Sequence, residues 1–154
     1  MELLRLDQTN LEVPRVGKGG IPIQRPSTNK AIRGIQHALD LGINFIDTSI
    51  AYGANGERFG QAIAGRRDKV IIATKTVWRN KEIALKCLDL SLRRLKTDYI
   101  DLWQFHNVSN FERYKIVLKP DDGVMEAAQE ALQAGKVLHV TNWSPLHEKK
   151  MCGS

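Results

Sequence analysis

Cysteine is scarce in this sequence, and the two that occur lie far apart. Cys87 and Cys152 follow neither a CxxC pattern nor any other spacing typical of metal ligands. A disulfide scaffold and a zinc site are therefore both disfavoured, and we interpret the two side chains as free thiols. We predict no metal site in this chain.

The sequence also has no long hydrophobic run. No apolar stretch approaches the roughly 18 residues that cross a bilayer. The first residues are interrupted by Glu2, Arg5 and Asp7, so they do not resemble the apolar segment of a signal peptide. We expect a soluble, cytoplasmic protein with no membrane partner.

Aromatic residues are few, at 6%, while basic residues exceed acidic ones by 23 to 17 and give a net charge of +6. This charge permits an anionic partner, such as nucleic acid or a phosphorylated cofactor. The basic pairs, however, have no interleaved aromatic residues on which single-stranded bases could stack. A nucleic-acid partner is therefore not expected, although a phosphate or nucleic-acid binder stays open as the weakest alternative.

Hydrophobic periodicity alternates along the 154 residues between short strands and amphipathic helices. Residues 1–15 form a predicted hairpin, with turn chemistry at residues 7–10. A helix is predicted at 28–41, capped by Ser27 and stopped by Gly42. Further strands are predicted at 43–46, 70–73, 99–105 and 137–140, and further helices near 56–64, after Asn80, and from Val124 to Gly135. This alternation predicts an α/β fold with a parallel sheet.

Two architectures fit such a sheet, an open doubly wound sheet and a (β/α)₈ barrel. The first strand leads into Gly17-Lys18-Gly19-Gly20, but Pro22 stands where a GxGxxG fingerprint needs its third glycine, and no helix is expected there. The sequence also contains no GxxxxGK[ST] loop and no GxSxG elbow. A Rossmann turn, a P-loop NTPase and an α/β-hydrolase are thus disfavoured.

Polar side chains stand at the ends of three successive predicted strands. Asp47, Lys75 and His106 are separated by 28 and 31 positions, which is one βα unit each time, and Tyr52 follows Asp47 by five residues. Because parallel strands share a direction, the four side chains are expected to meet at one rim of the sheet. Each residue alone also fits a structural role. Asp47 fits a helix or turn cap, Lys75 a surface cation, Tyr52 a half-buried loop aromatic and His106 a strand-end histidine.

This set can perform acid catalysis on a carbonyl group. We expect Asp47 and Lys75 to pair, since an unpaired buried ammonium is costly. A cation beside a phenol is expected to lower the pKa of Tyr52 and make it a general acid. A neutral His106 imidazole would donate a hydrogen bond to the substrate oxygen as hydride arrives at the carbonyl carbon.

Three segments, 42–53, 73–76 and 98–107, resemble in order and spacing the signature blocks of the aldo-keto reductase family. The resemblance implies an aldo-keto reductase (β/α)₈ TIM barrel that reduces aldehydes and ketones with NADPH. It assigns Asp47, Tyr52, Lys75 and His106 as the catalytic tetrad, with Tyr52 the proton donor. It also implies that the hairpin plugs the barrel bottom. Segments 19–25 and 106–109 are similar to a prokaryotic branch whose longer members often add an iron-sulfur domain.

The family's pattern extends the assignment to other residues. We place Gly20 and Asp47 at the cofactor, and Trp78 and Asn107 at a pocket for a small carbonyl substrate; Trp78 fits a packed aromatic equally well. The resemblance covers residues 1–140 and leaves 141–154 as a divergent tail. A whole barrel takes about 250 residues, so we expect one truncated after about five βα units.

Two consequences of a partial barrel are expected. The open sheet edges would favour self-association. The chain would then be either part of an NADP(H)-dependent oxidoreductase or, alternatively, a catalytically inactive fragment or assembly partner.

Overall fold

The computed structural model describes residues 2–6, 9–119 and 123–143. The chain opens with an antiparallel hairpin of β1 (Leu3–Arg5) and β2 (Glu12–Pro14). The side-chain amide of Asn44 donates, through Nδ2, to the Glu12 carbonyl oxygen at 3.3 Å. Since Asn44 directly precedes a strand of the main sheet, the predicted hairpin is present and contacts the end of that sheet where the strands begin.

The main sheet has five parallel strands in the order β3–β4–β5–β6–β7. These strands are β3 (Lys18–Gly19), β4 (Phe45–Asp47), β5 (Ile71–Thr76), β6 (Ile100–His106) and β7 (Val137–Trp143). Each strand pairs with the next along the chain, without the reversal of order that creates the crevice of a doubly wound sheet. This sequential order is that of a barrel wall. Among the described residues β3 and β7 are its two edges, and the barrel does not close.

Helices follow the strands and cover the sheet. They are α1 (Thr28–Asp40), α2 (Asn55–Ala62), α3 (Lys81–Leu95), α4 (Phe111–Val117) and α5 (Val124–Gln133). The predicted stop of α1 is present, because Gly42 has φ +87°, a conformation that glycine adopts readily. Asn80 caps α3 by accepting a hydrogen bond from the Ile83 amide at 3.0 Å.

One hydrophobic core joins the sheet to these helices. Ile46, Ile72 and Trp103 of the strands are buried together with Ile35 of α1 and Phe59 of α2. The apolar run at 70–73 is buried almost throughout, as expected for a strand covered on both faces. This packing fixes the strands whose ends carry the polar residues.

Three local features differ from the sequence prediction. Helix α4 was not predicted; its signal is Asn110, which caps the helix by accepting from the Arg113 amide at 2.9 Å. Strand β7 continues three residues beyond 140, because residues 141–143 pair with the end of β6. A short 3-10 helix (Ile21–Gln24) opens after Gly20, where no helix was expected; Pro22 near its start favours such a turn.

Candidate functional site

The site lies where strands β4, β5 and β6 end. Asp47 is the last residue of β4 and His106 the last of β6, while Lys75 is the penultimate residue of β5. Parallel pairing carries all three to the same rim of the sheet. The structure thus brings the predicted strand-end residues together.

Lys75 and Asp47 form the ion pair expected from the sequence. The Lys75 Nζ donates to Asp47 Oδ1 and, at 3.0 Å, to the Thr48 carbonyl oxygen. The Lys75 side chain is fully buried, whereas 34% of the Asp47 side chain is exposed. Burial lowers the pKa of Lys75, and its hydrogen bond and attraction to Asp47 partly oppose that shift.

Tyr52 lies in the loop after β4, with Lys75 beneath its ring. The loop turns back so that the Tyr52 amide donates to the Ser49 carbonyl oxygen at 3.0 Å. The Lys75 Nζ is 5.7 Å from the Tyr52 ring centroid. Burial, and then the Asp47 carboxylate, raise the pKa of Tyr52 above 10.0. The predicted lowering of the Tyr52 pKa is therefore wrong, because withdrawal of the ring from water and the nearby Asp47 carboxylate both favour the neutral phenol.

His106 faces Tyr52 from the end of β6. The two ring centroids are 6.4 Å apart and the ring planes are nearly perpendicular, at 87°. Burial and the Lys75 ammonium lower the pKa of His106 below 6.5; Arg79 adds to this effect and Asp47 opposes it. His106 is therefore a neutral imidazole near pH 7, as the proposed hydrogen-bonding role requires.

Gly20 packs directly against the Tyr52 loop. Its amide donates to the Asp47 carbonyl oxygen at 2.8 Å. A Cβ at this position would lie 3.2 Å from the Asp47 oxygen, from Thr48 Oγ1 and from the Tyr52 ring. The side-chain amide of the buried Asn55, a residue that no sequence motif marks, donates to the Gly20 carbonyl oxygen at 2.6 Å. The contacts of Gly20 are thus to the loop that carries Tyr52, and its role at a cofactor stays a prediction.

Asn107 and Trp78 occupy different places. Asn107 has φ +62° and lines, with His106, an open cavity of about 310 Å³. Trp78 is half-exposed and does not line this cavity, and its backbone amide donates to Thr76 Oγ1 at 3.2 Å. Of the two residues predicted at a substrate pocket, the structure places only Asn107 beside His106.

Two kinds of site are not found in the described part of the chain. No group of three or more His, Cys, Asp or Glu side chains there could hold a metal ion. Within residues 2–6, 9–119 and 123–143, no helix has both the length and the apolar character needed to cross a membrane.

Comparison with known proteins gives one consistent result. Residues 15–149 match the model of the aldo/keto reductase family. The chain is 35% identical to aldo-keto reductase YhdN of Bacillus subtilis, over 94% of this chain and 48% of YhdN. The chain spans about half the length of the relatives that it matches.

Solved structures agree with this result. The holo form of aldo-keto reductase AKR11C1 from Bacillus halodurans superposes with a TM-score of 0.81 at 31% identity, covering 94% of this chain and 51% of that one. An aldo/keto reductase from Klebsiella pneumoniae in complex with NADP and acetate gives 0.75 at 28% identity, covering 92% and 49%. The five-stranded sheet is therefore of the predicted TIM-barrel type. The chain belongs to the aldo/keto reductase family of oxidoreductases.

Proposed function

We propose that this chain contributes the catalytic half of an NADP(H)-dependent reductase of small aldehydes and ketones. The observation that carries the proposal is the convergence of four groups at one rim. A fully buried Lys75 is paired with Asp47 and lies under the ring of Tyr52, and a neutral His106 faces that ring. Such a set suits protonation of a developing alkoxide.

Tyr52 acts as the general acid in this proposal. Its raised pKa keeps the phenol protonated at neutral pH, so the group is present in the form that donates a proton. The His106 imidazole donates a second hydrogen bond to the carbonyl oxygen and orients it. After proton transfer, the Lys75 ammonium at 5.7 Å from the ring stabilises the phenolate.

The rim also fits the nicotinamide end of the cofactor, which supplies the hydride when bound. Thr48 Oγ1, Asn55 Oδ1 and Gln104 Oε1 are buried and have no hydrogen-bond partner in the structure. Gln104 pairs in register with Lys75, and Thr48 directly follows Asp47, so these oxygens lie near the tetrad. A carboxamide and ribose hydroxyls are groups that such acceptors hold. We assign Asp47, through its exposed carboxylate surface, and Gly20 to the same end.

The second candidate is an inactive fragment or an assembly partner. The two candidates share the tetrad and differ in whether the remaining strands of a barrel are supplied. A chimera in which residues 1–140 replace the corresponding part of YhdN separates them, because it completes the barrel around this tetrad.

We expect the chimera to oxidise NADPH with a simple aldehyde. Tyr52→Phe should lower kcat by about 10² or more while NADPH binding stays nearly unchanged, the size expected for loss of a general acid. Tyr99→Phe is the matched control, because Tyr99 directly precedes β6 at the end of the sheet opposite the site. The Tyr99→Phe chimera should turn over normally. A Tyr52→Phe chimera with normal kcat would refute the assignment of Tyr52, and a chimera that binds NADPH without turnover would support the inactive candidate.

A further inference from the structure

The cavity beside His106 carries two arginine side chains that the catalytic set does not use. Its lining consists of Val77, Arg79, His106, Asn107, Arg113 and Ile116. From this juxtaposition we propose that the cavity binds an oxyanion, carboxylate or phosphate, carried by the carbonyl substrate. The inference rests on the proposed function and narrows its substrate class to negatively charged carbonyl compounds.

Arg79 is held rigidly next to the catalytic histidine. Its Nη2 donates to the His106 carbonyl oxygen at 2.5 Å, and its Nη1 donates to the Thr76 carbonyl oxygen at 3.3 Å. Both acceptors are neutral backbone groups at the ends of β5 and β6, so they orient the guanidinium without cancelling its charge. A guanidinium fixed in this way is pre-organised for a planar oxyanion.

Arg113 approaches the same cavity from α4. Its Nη1 donates to the Asn107 carbonyl oxygen at 3.1 Å and lies 3.5 Å from Ser109 Oγ. The Asn110 cap fixes the first turn of α4 and with it the position of Arg113. Two short segments, each anchored at the end of β6, therefore bring two guanidinium groups to one cavity.

Their charge is not balanced by any carboxylate that the structure describes. Among the residues of 2–6, 9–119 and 123–143, Arg66, Arg67 and Arg94 each pair with an acidic side chain, whereas Arg79 and Arg113 form no ion pair. Burial, and then the positive charge of Arg113, lower the pKa of Arg79. An anion between the two groups relieves that repulsion and gains two charge-assisted interactions.

The remaining walls of the cavity suit the carbon skeleton of a small substrate. Val77 and Ile116 are both exposed apolar side chains. Arg79 donates to the backbone carbonyl oxygen of His106, whereas the His106 side chain faces Tyr52. In this proposal, an oxyanion at Arg79 and a carbonyl group at Tyr52 are therefore separated by His106. The site therefore fits compact molecules in which a short spacer joins the two groups.

A matched pair of aldehydes tests the inference by binding alone. The probes are 4-carboxybenzaldehyde and its neutral methyl ester, methyl 4-formylbenzoate, titrated calorimetrically into the 154-residue chain, with 4-formylphenyl phosphate showing which oxyanion is preferred. We expect the charged probes to bind at least about tenfold more tightly than the ester. Equal affinities, or no binding of the charged probes, would overturn the proposal.

Variants that remove one arginine charge show which residues cause the preference for charged probes over the neutral ester. Arg79→Gln and Arg113→Gln should each reduce the preference by about fivefold or more, and Arg79→Lys, which keeps the charge, should retain part of it. Arg93→Gln is the control, because Arg93 is an exposed arginine at the end of α3, on the opposite rim from the site. An unchanged preference in both Gln variants would contradict the assignment, and circular dichroism shows whether each variant is folded.

The same design separates this inference from the proposed reductase activity. Tyr52→Phe should keep the preference for charged probes, because binding requires no turnover. If the chimera reduces the ester but shows no charge preference, the cavity assignment fails and the reductase proposal stands. If the preference is present and the chimera never turns over, the reductase proposal fails.

Discussion

Arg67 offers the strongest prediction about stability, because one side chain ties together three segments at the end of the sheet opposite the site. Its guanidinium donates to Thr97 Oγ1 at 2.7 Å, to the Val70 carbonyl oxygen at 2.6 Å, to the Tyr99 carbonyl oxygen at 3.0 Å and to Asp101 Oδ2 at 2.6 Å. It also stacks 3.9 Å from the Tyr99 ring centroid. Asp101 in turn accepts the Ile72 amide at 2.9 Å, so the pair links β5 to β6.

The expected cost of losing Arg67 follows from burial. The side chains of Arg67 and Asp101 are only 18% and 8% exposed. Arg67→Met leaves the Asp101 carboxylate buried with a single backbone donor, and removing one partner of a buried pair costs about 3 to 5 kcal/mol. Arg67→Lys keeps the charge but cannot reproduce the fork of donors or the stacking, so we expect an intermediate loss.

The neighbouring arginine supplies the control. Arg66 pairs with Asp40 at 2.5 Å, but the two side chains are 42% and 58% exposed. An ion pair this exposed contributes less than about 1 kcal/mol, so Arg66→Met should have little effect.

Urea unfolding followed by circular dichroism at one fixed chain concentration measures these differences. With a slope of about 1 to 3 kcal/mol per M, Arg67→Met should lower the midpoint by roughly 1 M or more. Equal midpoints for the Arg66→Met and Arg67→Met variants would refute this prediction, because they would show that burial does not determine how much an ion pair contributes to the free energy of unfolding.

Three further predictions use the same chain. Because the pKa of His106 is lowered on folding, the unfolded state takes up the proton first, so the free energy of unfolding should fall as pH drops below about 6.5. Urea titrations at several pH values should show a less steep fall for the His106→Asn variant, and parallel plots of this free energy against pH for variant and parent would contradict the prediction. Gly60→Ala should lower the free energy of unfolding by about 1 to 3 kcal/mol, since its Cβ would lie 2.5 Å from the Arg94 backbone oxygen. Gly34→Ala, exposed on α1 and open, should raise it by about 0.5 to 1 kcal/mol, and the opposite order would be evidence against the packing argument. The 154-residue chain alone should self-associate through the edges of β3 and β7 in sedimentation and show no saturable NADPH fluorescence change; a monomer that binds NADPH would disprove this.

Periodicity and spacing predicted the elements that bury a continuous apolar stripe. Helix α1 and strand β5 appear where their hydrophobic patterns placed them, because burial of those patterns is what fixes the elements. The strand-end position of Asp47, Lys75 and His106 followed from the same reasoning. Parallel pairing converts a regular spacing along the chain into proximity at one rim.

Other features depend on tertiary contacts that no short pattern carries. The direction of the Tyr52 pKa shift depends on burial of the ring and on the Asp47 carboxylate beside it, which spacing alone does not reveal. Helix α4 buries only Val117, so its apolar pattern is weak and only its cap signals it. The half-exposed position of Trp78, outside the cavity that Asn107 lines, likewise has no signal in the local pattern.

The sequential order of the sheet bears on how the site is assembled during synthesis. Asp47, Lys75 and His106 come from three consecutive strands, and the contacts that join them to Tyr52 involve no residue later in the chain. A growing polypeptide emerges from the ribosome in this same order, and its domains fold from the N-terminal side. The four side chains of the rim can therefore take up their mutual positions as soon as β6 has been translated and has joined the sheet, before β7 is added to it.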